Sequence, residues 1–64
     1  MKLSEYLQTQ PYSNIALLWF EGENLESRWY GVNDIDKIEQ EFLDMEFMEC
    51  VEEDDCKEIW IRWM

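Results

Sequence analysis

Asn14-Ile15-Ala16-Leu17-Leu18-Trp19-Phe20-Glu21-Gly22-Glu23-Asn24-Leu25-Glu26-Ser27-Arg28-Trp29-Tyr30-Gly31-Val32 is the stretch on which the fold turns. Ile15 to Phe20 is apolar on both faces and too short for a helix, the pattern of a central strand covered on at least one side. Glu21-Gly22-Glu23-Asn24 supplies turn chemistry, and Leu25 to Val32 reads as a second strand that closes an antiparallel hairpin. Period-two geometry puts Leu25, Ser27, Trp29 and Gly31 on one face of that strand and Glu26, Arg28, Tyr30 and Val32 on the other.

Upstream, Leu3, Tyr6 and Leu7 recur at helical spacing, and Pro11 disfavours helix in Gln10, so a short N-terminal helix or arm is predicted. Downstream, Asn33 or Asp34 is placed to cap a helix from Asp34 to Asp44 with an acidic first turn. Ile35, Ile38, Phe42 and Met45 form its apolar stripe. Its other face shows Asp34, Asp36, Glu39, Glu41 and Asp44, relieved only by Lys37. Residues 46–52 fit either a continued helix or a strand; alternation returns there and again at Ile59, Ile61 and Trp63, which favours two strands joined by a loop over Glu52 to Asp55. The expected fold is α+β in one domain over residues 1–64, an antiparallel sheet of three or four strands with one amphipathic helix packed on it and a short N-terminal helix or arm.

With 64 residues and a mass of 7.9 kDa, the chain has a small core; a domain of this size buries only about 60% of its unfolded surface. Sixteen acids, five bases and no histidine give a net charge of −11, while 47% of the residues are hydrophobic and 16% aromatic. That apolar content separates the chain from acidic disordered segments. Direct binding to nucleic acid is disfavoured by repulsion from the phosphates, and an anionic membrane surface by the same effect. No apolar h-region follows Lys2, and the longest apolar run falls far short of the roughly 20 residues that span a bilayer. A cytoplasmic protein of a bacterial host cell is expected.

The acid is unevenly placed. Residues 1–32 hold four acids and two bases, net −2, whereas residues 33–64 hold twelve acids and three bases, net −9. A solvated helix face and a solubilising loop account for such a run in an ordinary domain. Here interleaved lysine is almost absent, and like charges at i and i+4 each cost a helix about 0.2–0.5 kcal/mol. A sequence that keeps this repulsion is expected to use the field. Duplex DNA carries one charge per ~1.7 Å, so eleven net charges correspond to roughly 19 Å, or five to six base pairs. Asp34, Asp36, Glu39, Glu41 and Asp44, with Glu46, Glu49, Glu52, Glu53, Asp54 and Asp55, are the candidate partner-binding residues.

The segments Gly22-Glu23-Asn24-Leu25-Glu26-Ser27-Arg28-Trp29, Asp34-Ile35-Asp36-Lys37-Ile38-Glu39 and Glu58-Ile59-Trp60-Ile61 resemble one domain of the ArdA-type antirestriction proteins. The resemblance runs over about residues 15–63. It implies a DNA mimic that inhibits DNA-targeting defence enzymes. The chain departs from the family pattern at Ser27, where a second glycine is expected, and at Arg62 and Trp63, where an acidic residue is expected.

Other features carry less. Glu52-Glu53-Asp54-Asp55 lacks the alternating ligands and central glycine of a calcium loop, so no metal or other cofactor is expected. Cys50 and Cys56 flank that loop and read as two thiols, with a cross-hairpin disulfide as the alternative. Without histidine or a glycine-rich phosphate loop, the chain is not expected to be an enzyme. Trp60 and Arg62 fall opposite Ile59, Ile61 and Trp63 and form a candidate self-association patch, with a two-fold dimer expected because the first and last strands leave edges. The favoured reading is a phage or mobile-element inhibitor of a basic nucleic-acid-binding protein. The alternative is a small acidic interaction or assembly module that uses its Trp-rich sheet.

Overall fold

A computed structural model describes residues 1–10 and 13–63. Pro11, the expected stop of the N-terminal helix, lies outside the described residues. The fold is α+β, a four-stranded, mostly antiparallel sheet with short helices on one face. Helix α1 (Leu3–Gln8) is followed by strands β1 (Asn14–Glu21) and β2 (Asn24–Tyr30), a 3-10 segment (Val32–Lys37), helix α2 (Gln40–Leu43), and strands β3 (Glu46–Glu52) and β4 (Cys56–Arg62).

The two-residue loop Gly22-Glu23 joins β1 to β2, closing on the pair Glu21–Asn24. Gly22 takes φ +62, the left-handed conformation that glycine adopts without a Cβ penalty. The second hairpin pairs β3 with β4 and carries a bulge between Phe47 and Glu49. The sheet order is β2-β1-β4-β3, so the hairpins lie side by side through a parallel pairing of β1 with β4. Residues 31–45 make the crossover that this parallel arrangement requires. The first and last strands therefore occupy the middle of the sheet, and the edges are β2 and β3, contrary to the expectation that β1 and β4 leave edges. Burial follows this order: β1 and β4 supply Ile15, Leu17, Trp19, Ile59 and Ile61 to the core, whereas β2 supplies Tyr30 alone and β3 no fully buried residue.

One sheet face contributes Ile15, Leu17, Trp19, Tyr30, Ile59 and Ile61 to the core, and Leu3, Ile38, Phe42 and Met45 close over it. The Trp19 and Phe42 rings meet at 4.8 Å, tilted by 46°. The apolar stripe expected of one helix is thus buried, but the helix itself is not continuous. Ile38 and Glu39 are extended (ψ 131 and 144), which separates the 3-10 segment from the single turn of α2. Nor does Asn33 or Asp34 act as a side-chain cap; the residue before the 3-10 segment is Gly31, whose carbonyl accepts from the Asp34 N–H at 2.9 Å. Tertiary contacts outweigh helical propensity here: Ile38 is drawn into the core, and the Glu39 carboxylate turns back to Arg28 and the Tyr30 hydroxyl.

The chain start is tied to β3. The Leu3 N–H donates to the Met45 carbonyl at 2.9 Å and the Phe47 N–H donates to the Met1 carbonyl at 2.8 Å, which covers the first part of the β3 edge. Helix α1 then seats Tyr6 on Phe47, with stacked rings 4.0 Å apart.

Burial, followed by the neighbouring Cys50 thiol, pushes the Tyr6 phenol from 10.0 up to about 12. The folded state holds this proton more tightly than the unfolded chain, so the associated stability is fully present below pH 10.0 and is lost as pH rises toward about 12. Tyr6→Phe, which keeps the stacked ring, is expected to flatten part of the alkaline fall in the urea midpoint over that window. An unchanged slope contradicts the burial of Tyr6 against β3.

Candidate interaction surfaces

Two surfaces stand out: the distributed carboxylates and the sheet face that the helices leave bare. All five basic side chains lie within 4.0 Å of an acid, namely Lys2 with Asp44, Arg28 with Glu39, Lys37 with Asp34, Lys57 with Glu52 and Arg62 with Glu46. Set against sixteen acids, these pairs leave eleven carboxylates without a cationic partner among the described residues.

The eleven candidate acids fall into three groups. Asp34, Asp36, Glu39, Glu41 and Asp44 lie on the helical layer, but the break at Ile38 and Glu39 prevents a single helical row of carboxylates. Glu46 and Glu49 belong to β3 opposite Arg62 and Trp60, on the far face of the sheet from the helices. Glu52, Glu53, Asp54 and Asp55 surround the β3–β4 turn, where the Glu53 N–H donates to the Cys56 carbonyl at 2.8 Å. Within this set Asp36, Glu41, Glu49, Glu53, Asp54 and Asp55 have no ion pair among the described residues.

Several of the others hold the fold together. Glu39 accepts from Arg28 and, at 2.9 Å, from the Tyr30 hydroxyl, while the Arg28 guanidinium lies over the Phe42 ring at 5.4 Å. The Tyr30 hydroxyl and Glu39 raise the Arg28 pKa further. The Arg62 guanidinium, hydrogen-bonded to Glu46, holds that carboxyl below its ordinary value. Lys57, with a side chain only 13% exposed, donates to Gln10 Oε1 at 3.4 Å and sits 3.9 Å from Glu52.

The bare face of the sheet is ordered by the strand registers. Leu25 opposes Phe20, Ser27 opposes Leu18 and Trp29 opposes Ala16, while Trp60 lies beside Leu18 and Glu58 beside Ala16. Phe20, Leu25 and Trp29 are 55%, 51% and 62% exposed. None of the six β1 and β2 positions on this face is charged. Trp60, the expected self-association residue, is half-buried with its ring 6.2 Å from that of Phe20, and Arg62 is engaged by Glu46. Trp29 lies over Gly31, where an added Cβ would approach the indole to 3.3 Å.

Glu21 escaped the sequence reading. Its Oε1 accepts from the Trp19 indole at 3.0 Å and the Trp63 indole at 3.1 Å, tying the end of β1 to the segment after β4. Its turn position was visible, but nothing in the sequence brings Trp63 to it. Cys50 opposes Ile59 rather than Cys56, and both thiols are free, so the register rules out the disulfide alternative. Among the described residues no three His, Cys, Asp or Glu side chains converge as a metal would require, and no helix is long and apolar enough to cross a membrane. Comparison with protein-family models, with curated proteins and with solved structures returns no match.

These placements divide the carboxylates by consequence. Glu39→Lys is expected to lower the melting temperature by several degrees, since a loss of about 1 kcal/mol moves the midpoint of a 60–100-residue domain by roughly 4–8 °C. Asp54→Lys, in the unpaired acidic turn, is expected to leave the midpoint unchanged or raise it by easing self-repulsion. Thermal unfolding followed by circular dichroism checks both, and equal effects at the two sites would contradict the division.

Proposed function

We propose that the chain is a non-catalytic decoy for nucleic acid, made by a phage or mobile element, that occupies the basic binding site of a host defence enzyme of restriction-modification or CRISPR type. Its place of action is the bacterial cytoplasm. The observation that carries this reading is the capture of every base by an acid while eleven carboxylates stay uncompensated on a body 30 Å long. A duplex of that length carries about 18 charges, so the chain reaches roughly six tenths of the duplex line density. The resemblance to an ArdA-type domain supports the same assignment. A field of this strength steers the protein toward cationic clefts and away from nucleic acid itself.

A second reading is favoured by a different observation. Phe20, Leu25 and Trp29 are each more than half exposed on a charge-free part of the sheet, the composition of an apolar docking surface. In that reading the chain is a small assembly module and the acid serves solubility.

Salt separates the two. A partner held by 6–10 phosphate-like contacts loses roughly 10³–10⁵ in affinity between about 50 and 200 mM salt. In pull-downs from a bacterial lysate, the decoy reading predicts DNA-binding enzymes that are released across that range and displaced by duplex DNA. It also predicts their loss with the variant E41K/E53K/D54K/D55K, which spares the structural ion pairs. Capture that resists both salt and duplex but fails with Phe20→Ala contradicts the decoy and supports the assembly module.

A further inference from the structure

The two edges of the sheet differ in charge and in cover. Strand β3 carries Glu46, Glu49 and Glu52, has a bulge next to Met48, and is partly covered by residues 1–3. Charge, bulges and cover are the devices by which proteins keep an edge from pairing. Strand β2 has neither bulge nor cover among the described residues, and its charges cancel. Its seven residues, Asn24-Leu25-Glu26-Ser27-Arg28-Trp29-Tyr30, contain one acid and one base, no proline and no bulge, and all but Tyr30 are exposed.

Hydrogen-bonding direction alternates along an antiparallel strand. With the two-residue turn closing on the bonded pair Glu21–Asn24, residues 24, 26, 28 and 30 bond to β1. Leu25, Ser27 and Trp29 therefore direct their N–H and C=O groups outward from the sheet edge.

We propose that β2 is a self-pairing edge, and that a second copy of this chain adds to it antiparallel, about a two-fold axis at Ser27, to give a continuous eight-stranded sheet. In this register Ser27 opposes Ser27 of the other copy, and the Leu25–Trp29 pairs bond through their outward groups. On the bare face each Leu25 meets a Trp29. On the helical face each Glu26 comes opposite an Arg28, whose guanidinium, already bonded to Glu39 of its own chain, is then shared between two carboxylates, an opposite-charge cross-strand contact made twice. Sliding by one bonded pair in either direction sets Glu26 against Glu26 or Arg28 against Arg28, so charge selects the register. Pairing through the neutral β2 edge also sends both acid-rich β3 edges to the outer margins, where repulsion between two −11 chains is least. Association does not depend on the decoy reading. Under that reading, the two β3 strands stand seven inter-strand spacings apart, about 34 Å, close to one turn of duplex DNA.

Sedimentation equilibrium at micromolar concentration and about 0.15 M salt, where the Debye length is about 8 Å, tests the pairing without any target protein. The expected mass is twice the chain's 7.9 kDa. Ser27→Pro removes an outward donor without touching a β1 bond and is expected to return the mass to that of one chain with the circular-dichroism spectrum intact. Glu26→Arg and Arg28→Glu are each expected to be monomeric alone, because each sets like charges opposite one another, and to form a mixed dimer when combined. A wild-type mass of one chain across the range overturns the proposal, as does a folded Ser27→Pro variant that stays dimeric, which would place any interface on the bare face or elsewhere. Failure of the charge variants to fold leaves Ser27→Pro decisive. E41K/E53K/D54K/D55K is expected to dimerise like the wild type, so loss of target binding and loss of pairing are read separately.

Discussion

The parallel pairing of Asn14–Leu18 with Cys56–Trp60 is the interaction on which the rest of the structure rests. Each hairpin alone has two strands and one apolar face, too little to persist in water. Side by side, they align Leu17 with Ile59 at the centre of the sheet, both fully buried, and give the helical layer a continuous floor. The crossover then has to travel from the end of β2 to the start of β3 across one face. That path lays Ile38, Phe42 and Met45 over the core and leaves the other face bare.

The same pairing sorts the charge. Placing β1 and β4 inside assigns β2 and β3 to the edges, and the chain's acid follows β3, its turn and the helical segments. The carboxylates serve two roles. Glu39, Glu46 and Glu21 hold neighbouring elements through Arg28, Tyr30, Arg62 and the two indoles, whereas the side chains of Asp36, Glu41, Glu49 and the Glu53–Asp55 turn make no ion pair or hydrogen bond among the described residues. Because exposed single charges contribute little alone, any binding that uses this field is cumulative over many carboxylates and sensitive to salt.

Local chemistry made much of this legible in the sequence. The apolar run of β1, the Gly22 turn and the alternation of β2 name a hairpin with its faces correctly divided as far as Tyr30, although the expected strand ran on to Val32, which instead opens the 3-10 segment, and the alternation around Ile59 and Ile61 locates the last strand. The Ile38, Phe42 and Met45 positions are recognisable as core. What local chemistry does not contain is the order of the strands. A hairpin pattern is indifferent to which of its strands meets the next hairpin, and β3 and β4 each hold four apolar residues in seven, so the place of β4 inside the sheet is not written in its composition. The break between the 3-10 segment and α2 was hidden for a related reason: period 3.6 describes the stripe, but the backbone is extended at Ile38 and Glu39, where the Glu39 carboxylate reaches Arg28, eleven residues earlier. For the candidate surfaces, the identity of the acids was readable, while their division into paired and free required the fold.

Residue-resolved amide hydrogen exchange, followed from dilute to concentrated protein, tests whether β1 and β4 form the interior of the sheet and β2 a neutral, self-complementary edge. The slowest amides are predicted at Leu17 and Ile59. Glu26 and Arg28, bonded to β1, are predicted to be protected at every concentration, whereas Leu25, Ser27 and Trp29 exchange quickly when dilute and slow as the concentration rises. Fast exchange at Leu17 and Ile59, or no concentration dependence at Leu25, Ser27 and Trp29, would contradict this arrangement of the sheet and its edge.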